Sequence, residues 1–446
     1  MRGTGAMVRA AVGALLAMAA GWAAAADWPQ WRGPERNGVA AQSPPLIDTF
    51  PQGGPKLVWK SGKVPGGGEG GYGSLAVADG LVYAYSNTKY SEPLETRTLS
   101  RQALEQLGWS PDMPENLRAK VEEARLSDER AKLEGREAQA WARNWVQKNV
   151  AGDQRRFQPL CFRRIMEGRN ALPLEVLAKL DTIKDKPFAG QKELEQWFAG
   201  NGIADPWKRA IQRHIPASTP LAYDEVFCLD AATGKEVWKA RYAGQHVGHS
   251  CSSTPCVARG RCYVQGSTGE ILCLDAKTGK EIWRVKTKAR AGNTLGSSVL
   301  VVDGVAVVQS GPLTAIDAET GQVLWEERRV SGDASSAICW RKDGSTYLLC
   351  NGGSQTFCLE PKTGKVLWGV PGGGPSTPVV ADDVMVVFSS NAKAGLAAYR
   401  LSVEAAVKLW SVSFTDRGAS PVVHEGHVYA FGGMNKGRAV CVDLVS

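Results

Sequence analysis

One nonapeptide pattern recurs along the second half of the chain and limits the folds open to it. DAATGKEVW ends at Trp238, DAKTGKEIW at Trp283, DAETGQVLW at Trp325 and EPKTGKVLW at Trp368, and a decayed copy, RLSVEAAVKLW, ends at Trp410. These tryptophans stand 45, 42, 43 and 42 residues apart. Near each copy lies a short apolar strand opened by small residues, as in STPCV at 253–257, GSSVLVV at 296–302, STPVV at 376–380 and ASPVV at 419–423. Each unit therefore reads as four short strands. Four-stranded repeats of about 40–45 residues are the blades of a β-propeller.

The residues of the motif have structural work to do. Asp before x-x-Thr-Gly suits a tight turn, because its carboxylate accepts backbone N–H groups and Gly tolerates positive φ. Asp230, Asp275, Asp317 and Asp443 are therefore expected as turn-formers and not as catalytic carboxylates. Trp offers an apolar face to the next blade and an N–H in search of a partner. Cys228, Cys273, Cys358 and Cys441 occupy one repeat position, before LD, LD, LE and VD, which suits a small buried thiol. Cys262 and Cys273 lie symmetrically about Gly266–Gly269 and form the candidate disulfide.

Closure is legible at the two ends. The C-terminus AVCVDLVS has a Cys-Val-Asp strand without its Trp strand, whereas GPKLVW, ending at Trp59, is a Trp strand without its predecessor. Joined in one blade, they form a latch that removes an exposed sheet edge. Tryptophans 59, 238, 283, 325, 368 and 410 then imply six blades.

The repeats resemble the PQQ-like β-propeller family, whose blades carry A-x-D-x-x-T-G-x-x-x-W, over residues 45–87 and 222–446. That family includes quinoprotein dehydrogenases and the non-enzymatic outer-membrane assembly factor BamB. DWPQWRGPERNG at 27–38 resembles the opening of exported PQQ-like proteins of planctomycete type, with Trp28 and Trp31 expected on the propeller rim. The resemblance implies an all-β, six-bladed propeller. It does not carry dehydrogenase activity over, because the chain has no Cys-Cys pair, no C-x-x-C-H haem attachment and two blades too few.

The remaining length is of a different kind. Arg2 and Arg9, the apolar run Ala10–Ala20 and Ala24-Ala25-Ala26 have the layout of a secretory signal peptide over 1–26. A periplasmic or secreted protein with no integral membrane segment follows. From Trp59 to Trp238 the chain runs 179 residues, far beyond one repeat. The excess, residues 88–220, carries helical periodicity at Leu99, Ala103 and Leu107, then at Ala138, Trp141 and Trp145 within a long charged stretch from Pro114 to Val150. Pro114, Pro173 and Pro206 mark helix starts. The expectation is a propeller at 27–87 and 221–446, with an α-helical insertion between the second and third strands of the first complete blade. Four-stranded topology puts that insertion on the face of the loops 66–73, 244–253 and 372–377, around the channel mouth.

Candidate sites are few. His246, His249 and Cys251 suit a zinc ion by ligand type, but their spacing matches no zinc finger, and polar lining of the channel mouth is the alternative. Glu69 and Tyr72 belong to a second mouth loop. Trp141 and Trp145 serve either the insertion's own core or an exposed recognition surface. Arg155 and Arg156, with Arg163 and Arg164, are either an acidic-partner patch or a solvated face. No catalytic set, cofactor site or nucleotide motif emerges. A net charge of +8 in 446 residues is too mild to argue for nucleic acid. The sequence thus points to a non-catalytic binding or scaffold protein with a protein or glycan partner in the cell envelope. The alternative is an exported quinone- or metal-dependent oxidoreductase with a site at the channel mouth.

Overall fold

The computed structural model describes residues 27–41, 43, 45, 47–65, 72–245, 252–289, 295–332, 334–432 and 437–446. The expected signal peptide lies outside them. The chain divides into two compact units: Lys89–Leu221, and the residues on either side of it.

The second of these units is β throughout. Among the described residues it contains five four-stranded antiparallel sheets and one three-stranded sheet. The first sheet is built from Ala76–Ala78, Leu81–Pro93, Ser218–Asp230 and Glu236–Ala243, so the helical unit departs from its second strand and returns through its third. The next four sheets use consecutive strands: 256–286, 300–332, 338–371 and 379–412. The last has Val422–His424, His427–Gly432 and Arg438–Asp443.

First and second strands are joined by the same two-residue turn. Asp79-Gly80, Arg259-Gly260, Asp303-Gly304, Asp343-Gly344 and Glu425-Gly426 all have positive φ at both positions. That is the type I′ geometry matched to strand twist. Third and fourth strands meet at the Asp-x-x-Thr-Gly turn, where Asp230, Asp275 and Asp317 each accept the Thr amide and hydroxyl at 2.6–2.9 Å. Asp443 accepts the amides of Val445 and Ser446 at 2.9 Å. These four are turn-formers.

Each tryptophan leaves its own sheet to reach the next one. Trp238 and Trp283 donate Nε1–H to the carbonyls of Ala276 and Ala318, and Trp325 and Trp368 to those of Pro361 and Ser402. Trp410 reaches Leu444 O at 3.0 Å, and Trp59 reaches Ala231 O at 2.9 Å. The indole also lies flat on the receiving turn. A Cβ at Gly279 would fall 2.5 Å from Trp238, and one at Gly321 would fall 2.9 Å from Trp283. A β-bulge before each Trp sets it opposite one small residue: Cys228, Cys273, Ala315, Cys358 and Ala398. The repeated cysteine is therefore a space-filler that alanine replaces in two sheets.

Three expectations are corrected. The candidate disulfide does not form: Cys262 pairs with Leu274 and Cys273 with Tyr263, a register one residue off symmetry. The two free thiols consequently point to opposite faces and enter different core clusters. The latch is made by its side chain alone. Lys56–Trp59 forms no ladder with Arg438–Asp443, and Leu57 and Val58 stay 74% and 80% exposed although Trp59 is docked. Finally, residues 27–38 do not sit on a rim but cross the first strands of the sheets. Trp28 bridges Val77, Pro29 accepts from Val257, and Glu35 pairs with Arg341. Arg32 donates to Pro421 O. Arg36, 1% exposed, donates to the carbonyls of Ser298, Val299 and Ala337 and to Gln30 Oε1.

The helical unit contains α1 (Arg101–Gln106), α2 (Glu115–Leu126), α3 (Asp128–Ala131), α4 (Gly135–Asn149), α5 (Gln158–Glu167), α6 (Leu174–Asp181), α7 (Gly190–Gly200) and α8 (Asp205–Gln212). Pro114 and Pro173 are N-caps, and Pro206 occupies the first turn of α8. The single long charged stretch is broken at Ser127, whose hydroxyl caps α3 through the Arg130 amide. Two cores result, one from α1, α6, α7 and α8, the other from α2, α4 and α5.

Two outcomes follow from the packing. Trp283→Ala is expected to cost about 3–5 kcal/mol and Gly321→Ala about 1–3 kcal/mol, read as lower urea midpoints at unchanged m. Arg36→Met leaves three buried carbonyls without a donor and is expected to cost several-fold more stability than Arg341→Ala, whose exposed ion pair contributes about 1 kcal/mol or less. Equal melting temperatures for those two variants would show that the 27–38 crossing is ornamental.

Candidate functional site

Two places gather polar groups, one in each unit. In the β unit, the first strands are tied by backbone-to-hydroxyl bonds that run from sheet to sheet. The amide of Ser74 donates to Thr254 Oγ1, Thr254 to Ser298 Oγ, Ser298 to Ser336 Oγ, Ser336 to Thr377 Oγ1 and Thr377 to Ser420 Oγ, all at 2.9–3.0 Å. A second series stands at the ends of the second strands: Asn87, Gln265, Gln309 and Asn351, each buried. Gln309 Nε2 donates to Asn351 O and Asn351 Nδ2 to Ser376 O, both at 2.6 Å. Asn87 Oδ1, Gln265 Oε1, Ser335 Oγ and Ser376 Oγ are buried without a partner among the described residues. Such groups are met by ordered water or by a hydrogen-bonding ligand.

Asp224 closes this region between the first two sheets. Its carboxylate takes Tyr85 Oη–H at 2.8 Å, Asn87 Nδ2 at 3.1 Å, and the Ser267 amide and hydroxyl at 2.8 and 3.0 Å. Burial pushes its pKa up, and these four donors offset only part of that shift. Glu225, one residue on, faces the other side of the strand. Burial acts on it in the same direction, but bonds from Lys239, Thr88 and Arg241 outweigh it and hold the carboxyl below its usual range. Opposite faces keep the two carboxylates from sharing a proton or a substrate.

In the helical unit, Glu122 on α2 is the electrostatic hub. It binds Arg125 through two oxygens and Arg164 of α5 at 2.6 Å, with Arg164 1% exposed. Burial raises the Glu122 pKa, but the Arg125 hydrogen bond and the Arg164 charge overcome it, and the carboxyl ends below its ordinary value of 4.5. With Arg164 spent inside, its neighbour Arg163 points outward, donating to Glu105 O at 3.1 Å. It borders a hollow of about 440 Å³ lined by Arg101, Glu105, Asp112, Arg156, Phe157 and Leu160 among others. A second hollow of about 260 Å³, with Arg143, Val146 and Phe162, shares Pro159 with the first.

The expected site residues are distributed unevenly. Glu69, His246, His249 and Cys251 lie outside the described residues. Tyr72 is 64% exposed and has no part in the polar series. Trp141 and Trp145 are half-buried against the α2–α4–α5 core, whose buried stripe is Ala138, Ala142 and Val146, rotated from the expected one. Arg155 and Arg156 are exposed, and only Arg156 enters the hollow, its guanidinium 4.7 Å above the Phe157 ring. Asp224, Arg36 and the buried amides were not anticipated. The amides had a signal: a lone Asn or Gln ends the apolar second strand in four successive repeats. Among the described residues no helix is long and apolar enough to cross a membrane, and no cluster of three metal-ligating side chains occurs.

Comparison with known proteins bears on the β unit. The family described as outer membrane protein assembly factor BamB matches residues 217–343 and 333–446. The quinohemoprotein alcohol dehydrogenase ADH-IIG of Pseudomonas putida is 25% identical over 234 residues, covering 43% of this chain. The chain spans 32% of the length of that relative. Among solved structures, BamB from Moraxella catarrhalis matches at TM-score 0.39 and 18% identity over 50% of this chain and 73% of its own. The quinohemoprotein alcohol dehydrogenase from Comamonas testosteroni matches at TM-score 0.31 and 16% identity, over 51% of this chain and 42% of its own.

The Glu122 hub makes the helical unit acid-sensitive. A carboxyl with a depressed folded pKa stabilises above its unfolded value of 4.5 and loses that contribution as pH falls. Helical circular dichroism should therefore melt at lower temperature at about pH 3 than at about pH 6. Glu122→Gln is expected to cost about 3–5 kcal/mol at neutral pH and to flatten that dependence. A variant that keeps the wild-type pH slope would contradict this assignment.

Proposed function

The chain belongs to the PQQ-like repeat family described as outer membrane protein assembly factor BamB, and from that premise we propose a non-catalytic, protein-binding scaffold of the cell envelope. The family match over 217–446 carries the reading, since it spans five of the six sheets in full and the returning strands of the first. We read the β unit as a closed six-bladed propeller. Trp59 supports closure, because it seats on the Asp230–Gly234 turn as each later tryptophan seats on the turn after it. Residues 88–220 are then a helical insertion in the first blade. Residues 1–26 direct export to the periplasm or beyond, and the 27–38 segment places the protein among exported WPQWRGP-type chains. The partner is a protein or glycan; nucleic acid is not expected.

The physical basis is rigid display. Every sheet is tied to its neighbour three times, through indole to turn, amide to hydroxyl, and a shared apolar cluster. Such a frame holds its loops still, which lowers the entropy lost on binding.

A quinone cofactor does not fit the polar groups described. The inner hydroxyls are engaged with neighbouring amides, and the cysteines are single free thiols, those of Cys350 and Cys358 pushed to about 12 by burial. The oxidoreductase reading rests on the match to the P. putida dehydrogenase and separates cleanly by experiment. Full-length protein purified from its native envelope should retain one protein partner in stoichiometric amount and show no quinone absorbance. A quinone chromophore, or stoichiometric metal with alcohol oxidation, would overturn the scaffold assignment.

A further inference from the structure

Most arginines of the helical unit's core are already committed. Arg125 and Arg164 are held by Glu122, and Arg130 caps the end of α5 through Ile165 O and Met166 O. Those bordering the two hollows are different. Arg156 lies over Phe157, Arg163 donates outward to one backbone carbonyl, and Arg143 is exposed at the far end. Arg101 is fixed from the other side by Asp112 at 2.6 Å and Glu105 at 3.4 Å. Between these margins the floor is apolar: Phe157, Leu160, Pro159, Phe162 and Val146.

We propose that the two hollows joined at Pro159 form one docking groove for an acidic, partly apolar peptide segment of a protein partner. The inference rests on the scaffold reading and names what that scaffold holds. Shape selects a peptide over a small anion, because the arginines are spread along two adjoining cavities instead of converging on one point. Charge selects the acidic class. Guanidinium groups bind carboxylates through paired N–H donors, whereas Glu105 and Asp112 repel them and confine the acidic side chains to the Arg156 and Arg163 side. The local field agrees: His214, which bonds Gln106 of the same wall at 3.1 Å, has its pKa lowered by burial first and then by the Arg163 and Arg213 charges. Leucine-type side chains of the segment would lie on Phe157 and Leu160, removing apolar surface from water on both partners.

The test uses the full chain and a fluorescein-labelled peptide of alternating glutamate and leucine, with a lysine–leucine peptide and inorganic phosphate as comparators. The acidic peptide should bind, and Arg156→Ala with Arg163→Ala should weaken it at least about tenfold and reduce its salt dependence. Lys192→Ala, on α7 away from the groove, should leave binding unchanged. Arg156→Lys with Arg163→Lys keeps the charge and should bind at intermediate strength, which guards against misfolding, as does an unchanged helical melt. The proposal is overturned if the alanine pair binds as tightly as the parent, if the lysine peptide binds equally well, or if phosphate displaces the acidic peptide completely. Failure here is separable from failure of the scaffold reading. Equal recovery of the envelope partner by the alanine pair and the parent chain would end the groove and leave the scaffold standing.

Discussion

The indole that leaves one sheet for the turn of the next is the contact on which the β unit depends. It needs three residues at once: a tryptophan at the end of the fourth strand, a carbonyl two positions before the receiving glycine or thereabouts, and no Cβ on that glycine. Gly234, Gly279, Gly321 and Gly364 all have positive φ and all lie beneath the preceding tryptophan. One residue therefore satisfies two separate demands, turn geometry and close approach. The β-bulge before the tryptophan is part of the same device, since it turns the ring outward while a Cys or Ala opposite leaves it room. Everything else in the unit, from the hydroxyl ties to the shared apolar clusters, is held at the spacing this contact sets.

Because the device recurs with the sequence period, the sheet count and the identity of the turn carboxylates were legible. What escaped was of two kinds. Register by a single residue was one: symmetry about Gly266–Gly269 puts Cys262 opposite Cys273, but the ladder places Leu274 there, and one step reverses a side chain's face. The helical stripe erred in the same manner, with Ala142 and Val146 inside where Trp141 and Trp145 were expected. Bulky rings at a stripe's margin mislead because they cover a core without filling it. The x-Gly turn of the first hairpin was legible but hidden, since the residue before glycine changes among Asp, Arg and Glu while the backbone demand stays the same.

The second kind was long-range. Nothing in WPQWRGPERNG announces that Arg36 will donate to backbone carbonyls more than 260 residues away. Carbonyls carry no sequence signature, so a guanidinium that recognises them is invisible until the fold brings them together. Ser298 and Ala337 are carried there by the first strands of consecutive sheets. A buried arginine with no carboxylate is tolerable because several main-chain dipoles share its charge. The Trp59 strand was expected to do the closing through a ladder. The 27–38 crossing takes over much of that role by touching sheets one, two, three, four and six.

The division of labour between the units follows from how each spends its polar groups. In the β unit, repetition commits them: every inner hydroxyl that accepts a neighbour's amide is unavailable to a ligand, and the repeat copies that commitment from sheet to sheet. In the helical unit there is no repeat, and three elements, α2, α4 and α5, must satisfy their charges individually. One glutamate, Glu122, can neutralise only the arginines that reach it, Arg125 and Arg164. The next residue in the chain, Arg163, points the other way by helical geometry. An arginine pair at adjacent positions on a helix thus has one member bound to the core and the other to face outward, and the outward member, with Arg156 ahead of it by roughly two turns, is where this molecule has charge left to offer a partner.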